Sequence, residues 1–175
     1  MSPAAGPFLV AATLLVVGGF VKLGRPNDTV NALRQVGWPA NATVVRAGSA
    51  FEIALGTAAF VHGGTLAAAF LAVSYLGFAI FVLTALVKHA PIASCGCFGR
   101  AETPASALHV AVNVGAAASG LAVALDPGAG IADVVSSQPY LGVPFVVLML
   151  TAAFATFLVL SALPQLLALV RTGRS

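Results

Sequence analysis

The stretch 65-TLAAAFLAVSYLGFAIFVLTALV-87 decides the fold, because it is long, apolar and free of charged residues. A helix needs about 20 consecutive apolar residues to cross the hydrocarbon core of a bilayer. The rest of the 175-residue chain is similar: 59% of it is hydrophobic, 7% is charged, and the mean hydropathy is +1.02. Soluble domains carry about 25% charged residues. The sequence therefore excludes a soluble domain and predicts an integral membrane protein.

Five apolar segments predict an all-α, polytopic transmembrane bundle: a core of four helices plus a C-terminal helix. The segments cover about residues 4–23, 42–61, 65–87, 105–125 and 140–170. The first segment has no basic region before its apolar part, which favours a retained helix over a cleaved signal peptide. We expect residues 1–125 to form a four-span domain. An irregular connector at 126–139 and a fifth helix with a short tail at 140–175 would follow.

The segment 27-NDTVNALRQVGW-38 predicts a short interfacial helix between the first two spans. Its apolar residues would lie against the membrane, with the tryptophan in the aromatic belt, and its polar residues would face water. The apolar residues are Val30, Leu33 and Trp38, and the polar ones are Asn27, Asn31 and Arg34. A plain polar loop is the alternative.

Small residues recur within the spans and predict places where helix backbones approach closely. The glycines among them are Gly56, Gly77, Gly115 and Gly120.

The basic residues predict the orientation of the bundle. With five spans, every Lys and Arg falls on the side that holds the C-terminus and the loop at 94–102; the other side has the N-terminus, His62, Asp126 and Asp133. Because cytoplasmic loops carry the excess of Lys and Arg, we expect the N-terminus outside and the C-terminus inside. Arg outnumbers Lys, and Ala, Gly, Val and Leu dominate, which indicates a GC-rich bacterial genome and hence the bacterial cytoplasmic membrane. Eight basic residues spread along the chain make no patch for nucleic acid.

Both cysteines of the chain lie one residue apart, as Cys95-Gly96-Cys97, between the third and fourth spans. Across one residue the two Cα atoms can fall within the roughly 4.4–6.8 Å that a disulfide requires, and glycine tolerates the backbone angles involved. So small a ring adds little stability, and its strain makes the bond easy to reduce. Lys88 and Arg100 are close in sequence and would favour the thiolate. The pattern therefore favours a redox role.

Two other uses of the cysteines stay open. Thiolates also bind copper(I) or zinc, and a zinc site would need a further ligand, from His109 or from a partner. The alternative to both is inert packing in the loop.

Glu52 is an ionisable residue inside the second span, where a charge is costly and should face a partner in the bundle interior. Lys22, at the same end of the first span, is the expected partner. The carboxylate either shapes a proton-linked site or forms a structural pair that joins two helices.

His109 and Asn113 are four residues apart on the fourth span and therefore share a helical face near the cysteine loop. They would bond the loop backbone or a thiolate, or serve as hydrogen-bonding contacts between helices. His62, at the opposite turn, is expected to be solvated.

Taken together, these residues resemble the methylamine utilisation protein MauE family, whose layout is similar to that of DoxX-like membrane proteins. The resemblance covers roughly residues 5–125, and its most specific part is 95-CGCFG-99, with Phe98 and Gly99 completing the motif. Its other matching positions are Lys22, Pro26, Glu52, Gly56 and Asn113.

The resemblance implies an assembly factor, because the founding role of the family lies in maturing the disulfide-rich small subunit of methylamine dehydrogenase beside a thioredoxin-like partner. Cys95 and Cys97 would then exchange disulfides with such a partner or relay electrons to it. Disulfide maturation belongs outside the cytoplasm, whereas the charge rule places this loop inside. Either the loop dips into the bundle and receives electrons from the cytosol, or the charge rule fails for this loop.

Two alternatives to this role stay open. One is a non-enzymatic membrane scaffold whose cysteines bind a metal or fold the loop. The other is a quinone-binding protein of the DoxX type, since a relay inside a membrane needs a lipid-soluble electron acceptor.

Overall fold

The computed structural model describes residues 3–88, 105–127, 130–137 and 139–172, and within them it confirms an all-α membrane bundle. The side chains of residues 137, 139, 141 and 163–172 are not part of this description. Seven helices are present there: α1 (Ala5–Gly24), α2 (Pro26–Gln35), α3 (Ala42–His62), α4 (Thr65–Val87), α5 (Ala107–Leu125), α6 (Ile131–Ser137) and α7 (Pro139–Thr172). By length and composition α1, α3, α4, α5 and residues Gly142–Ala162 of α7 can each cross a membrane.

Local sequence signals set the ends of α3. The Asn41 side chain accepts a 2.9 Å hydrogen bond from the backbone N–H of Val44, which is a standard N-cap. Gly63 ends the helix with a φ of 57°, a left-handed conformation that glycine adopts at little cost. The chain then turns at once into α4, and His62 is exposed there as expected.

The core forms where α1 packs on α3 and α4 packs on α5. A Cβ on Gly56 would lie 2.8 Å from the Ala12 carbonyl oxygen, and one on Gly120 would lie 3.0 Å from that of Ala68. These two glycines allow close helix approach, as predicted. The same prediction is wrong for Gly77 and Gly115, because a Cβ at either position would meet nothing within 4 Å.

The predicted helix after the first span exists as α2, but its apolar side does not rest on the membrane. Ala32 and Val36 are buried against Phe81, Val82 and Ala85 near the end of α4. Val30 is also buried and Leu33 packs against the same cluster, so the predicted membrane-facing side is wrong for these two residues. Asn27, Asn31 and Arg34 are exposed as expected. Trp38 is 37% exposed and packs edge-on against Phe81.

The connector predicted to be irregular contains α6. Gly130, just before α6, lies so close to the backbone of Val61 and His62 that no side chain would fit. This contact holds α6 against the end of α3. From there α7 runs parallel to α1. Met149 lies beside Gly6, and Leu160 lines a small cavity together with Lys22.

Candidate functional site

A buried ion pair joins α1 to α3. The Lys22 Nζ lies 2.5 Å from Glu52 Oε2, and the two side chains are only 7% and 14% exposed. Lys22 also lies over the ring of Phe78, 4.4 Å from its centroid. Two charges withdrawn from water need each other and further contacts to be tolerated. The pairing expected from the sequence is therefore present.

The close crossing of α1 and α3 positions this pair. A Cβ on Gly19 would lie 2.9 Å from the Ser49 carbonyl oxygen, so α3 can approach only because this residue is glycine. Lys22 is one turn after Gly19, and Glu52 is one turn after Ser49. The glycine contact thus brings the two charged side chains together.

A cavity of about 310 Å³, here called the lateral cavity, lies on one side of the pair between α2, α3 and α4. Its walls are mostly apolar and include the rings of Trp38, Phe78 and Phe81, while Val44 and Val73 are exposed at its edge. Its polar residues are Lys22, Glu52, Thr29, Ser49 and Ser74.

Thr29 differs from the two serines of the lateral cavity. Ser49 and Ser74 donate to carbonyl oxygens of their own helices, at 2.7 and 2.9 Å. The Thr29 Oγ1 is buried and has no hydrogen-bond partner among the residues that the structure describes. A buried hydroxyl without a hydrogen-bond partner is unfavourable. Thr29 is therefore the residue of this wall that is best placed to form a hydrogen bond with a ligand.

A second, smaller cavity of about 20 Å³ lies on the other side of Lys22. His109 and Asn113 line it together with Lys22, and both are buried. This volume holds about one water molecule. The His109 Nδ1 lies 2.8 Å from the Ser106 hydroxyl, which leaves Nε2 as the other bonding nitrogen. The structure thus gathers Lys22, Glu52, His109 and Asn113 into one polar region inside the bundle.

The other predicted site residues, which are Cys95, Cys97, Phe98, Gly99 and Arg100, lie outside the described residues. The described chain stops at Lys88, whose Nζ donates a 2.7 Å hydrogen bond to the Val36 carbonyl oxygen. It resumes at Ala105, which packs against the same cluster of α2 and α4 residues. Lys88 and Ala105, the described residues on either side of the cysteines, therefore both adjoin α2. Residues 89–104 between them are called the cysteine segment below. No group of three metal-ligating residues occurs within the described ranges, so the set of Cys95, Cys97 and His109 is untested.

Sequence reasoning missed three residues of this region. Tyr75 donates a 2.7 Å hydrogen bond to the Ala11 carbonyl oxygen. The sequence did contain a signal for this contact, because Tyr75 is one of only two tyrosines and its hydroxyl lies within an apolar span. Thr29 and Phe78 gave no comparable signal, because a threonine in a short helix and a phenylalanine in a span are ordinary.

A family model for the methylamine utilisation protein MauE matches residues 2–126 of this chain. The chain belongs to the MauE family. The match covers the four core helices, the ion pair, the lateral cavity, most of the wall of the smaller cavity and the cysteine segment. Leu160 of the smaller cavity, with the rest of α6 and α7, lies beyond it. Neither a curated protein nor a solved structure matches this MauE-family chain.

Proposed function

We propose that this MauE-family protein is a thiol–disulfide relay of the bacterial cytoplasmic membrane that matures a disulfide-containing partner. The observation that carries the proposal is the pair Cys95 and Cys97, the only cysteines of the chain, placed one residue apart between α4 and α5. A pair so close in sequence cannot staple distant elements, so a structural use explains it poorly.

The proposed reaction is an exchange that needs no further reactant. A partner thiolate attacks the Cys95–Cys97 disulfide and forms a mixed disulfide, and the second partner thiol resolves it. The partner gains one disulfide, Cys95 and Cys97 become thiols, and two electrons and two protons move with the exchange. The partner is thioredoxin-like or contains the disulfide that is being made.

The polar region supports the segment that carries the cysteines. His109 lies near the start of α5, which directly follows this segment, and Lys88 closes α4, which precedes it. In the proposed relay, the Lys22–Glu52 pair orders α1 and α3, and His109 and Asn113 support the segment. Arg100 and Lys88 would favour the thiolate, and Phe98 and Gly99 complete the CGCFG motif that contains the cysteines.

The distribution of charge supports the proposed orientation. Arg25, Arg34 and Arg46 are exposed near the end of the bundle from which the cysteine segment leaves. Asp126 and Asp133 are exposed near the other end. With cytoplasmic loops richer in Lys and Arg, the N-terminus would be outside and the C-terminus inside.

A redox titration of the purified protein tests the relay. The protein is equilibrated in glutathione buffers of graded potential, blocked with a maleimide, and its free thiols are counted by mass. We expect two thiols to disappear together as a two-electron couple, and Cys95→Ser to abolish that transition. Two thiols that stay reduced across the whole range would refute the relay. Stoichiometric zinc or copper in the purified protein would favour the metal-binding scaffold instead.

A further inference from the structure

We propose that the lateral cavity binds the ring of a lipid-soluble quinone, with Lys22 and Thr29 as the hydrogen-bond donors to its carbonyl oxygens. The inference rests on the proposed function only for the source of the electrons. The binding itself is argued from the cavity.

The size and position of the lateral cavity suit a ring carried on an apolar tail. Its volume of about 310 Å³ is at the lower end of the range for small-molecule pockets, which is enough for a single substituted ring. Val44 and Val73, exposed at 61% and 64%, lie in its wall on membrane-spanning helices. A tail would therefore leave the cavity between α3 and α4 into the bilayer.

The polar groups favour a neutral head that accepts hydrogen bonds. Lys22 and Glu52 neutralise each other, so the cavity offers no net charge to an anionic or cationic headgroup. The Lys22 ammonium has three N–H donors, and the Thr29 hydroxyl has no partner among the described residues. A quinone brings two carbonyl acceptors, and after reduction its hydroxyls can donate to the Glu52 carboxylate.

The apolar walls favour a planar ring. Trp38, Phe78 and Phe81 all line the cavity, and the Trp38 and Phe81 rings lie 5.8 Å apart in an edge-to-face arrangement. Aromatic side chains provide flat faces and edges against which a conjugated ring packs well.

Such a ligand would complete the proposed relay. Two thiols and one quinone give one disulfide and one quinol, so two electrons and two protons pass from sulfur to the ring and nothing else is consumed. The described chain leaves α4 at Lys88, which is bonded to Val36, two residues before Trp38 of the cavity wall. Lys88, the last described residue before the cysteines, thus lies close to this wall.

Trp38 provides the assay, because it is the only tryptophan of the chain and lines the cavity. The probe is a short-tailed ubiquinone analogue, titrated into the Cys95→Ser/Cys97→Ser protein in lipid nanodiscs, where no thiol reaction can occur. We expect saturable quenching of Trp38 fluorescence that an alkane of the same tail length does not reverse.

Two pairs of variants locate the site. Gly77→Leu should weaken binding at least tenfold, since Gly77 lines the cavity and has open space for a side chain. Gly115→Leu is its matched control, because Gly115 is equally open but lines a third cavity, between α1, α5 and α7. Thr29→Val should weaken binding about three- to tenfold, the worth of one hydrogen bond. Ser74→Ala, which removes a hydroxyl already bonded to its own helix, should not.

Quenching that never saturates, or that is equal in Gly77→Leu and Gly115→Leu, would overturn the quinone site. Unchanged binding in Thr29→Val would overturn the assignment of this donor. Failure of the two proposals is distinguishable: quinone binding without a two-electron thiol couple refutes the relay alone. A thiol couple without quinone binding refutes the cavity assignment alone.

Discussion

Removing one member of the Lys22–Glu52 ion pair should destabilise the protein more than removing both. Lys22→Met would leave the carboxylate in a site where it is 14% exposed, and we expect a loss of about 3 kcal/mol in the free energy of unfolding. The double variant Lys22→Met/Glu52→Leu should recover most of this loss, because no unpaired charge is left. Denaturation in mixed micelles of increasing dodecyl sulfate content measures both. A double variant as unstable as the single one would contradict this account.

Tyr75 connects α4 to α1 through its hydroxyl, which donates to the Ala11 carbonyl oxygen at 2.7 Å. Tyr75→Phe keeps the ring and its edge-to-face contact with Phe78, so only the hydroxyl contacts are lost. We expect about 1 kcal/mol less stability in the same denaturation assay. Tyr140→Phe is the control, because Tyr140 is 96% exposed and should tolerate the change without loss. Equal effects of the two changes would show that the Tyr75 hydroxyl adds nothing.

At the scale of single residues, the sequence predicts a contact when a residue has few possible partners. Two charges inside apolar spans must meet, and so the Lys22–Glu52 pair follows from the chain alone. Thr29 and Phe78 are different. Their role depends on how α2 and α4 enclose the lateral cavity, and neither residue type is unusual where it occurs.

The crossing of α1 and α3 depends on two glycines that lie one on each helix. A Cβ on Gly19 or on Gly56 would be less than 3.0 Å from a backbone oxygen of the other helix. We expect Gly19→Ala and Gly56→Ala each to cost about 2 kcal/mol, despite the higher helix propensity of alanine. Gly48→Ala, on the same helix as Gly56 but with open space around its Cβ, should be neutral or stabilising in the same unfolding measurement. Loss of stability in Gly48→Ala alone would contradict the crossing.

At the scale of elements, the long helices were predictable and the short ones less so. Length and lack of charge are enough to place a membrane span. The amphipathic pattern of α2 predicts a helix, but it cannot tell a lipid surface from the end of the bundle, which here buries Ala32 and Val36. No local signal predicted α6, because its place is set by the contact of Gly130 with the end of α3.

At the scale of the whole molecule, the pairing of α1 with α3 was predictable from Lys22 and Glu52, but the other helix pairings were not. Small residues mark many possible close approaches, yet only some of those glycines lie at helix crossings, and Gly77 and Gly115 face open space. The candidate site depends on this pairing: Glu52 was expected beside Lys22, but the lateral cavity arises only from the way α2 closes over α3 and α4.

The orientation of the bundle is the prediction that belongs to the whole molecule. Exposed arginines gather near the end of the bundle where α2 lies, and exposed aspartates lie near the other, so we expect the α2 end to face the cytoplasm. In the Cys95→Ser/Cys97→Ser protein, single reporters are introduced as His62→Cys and Asn31→Cys, both at exposed positions near opposite ends. A membrane-impermeant maleimide should label the reporter at 62 in spheroplasts and the reporter at 31 only after lysis. The reverse pattern would place the cysteine segment at the outer face, where a disulfide is stable without a special supply of oxidant.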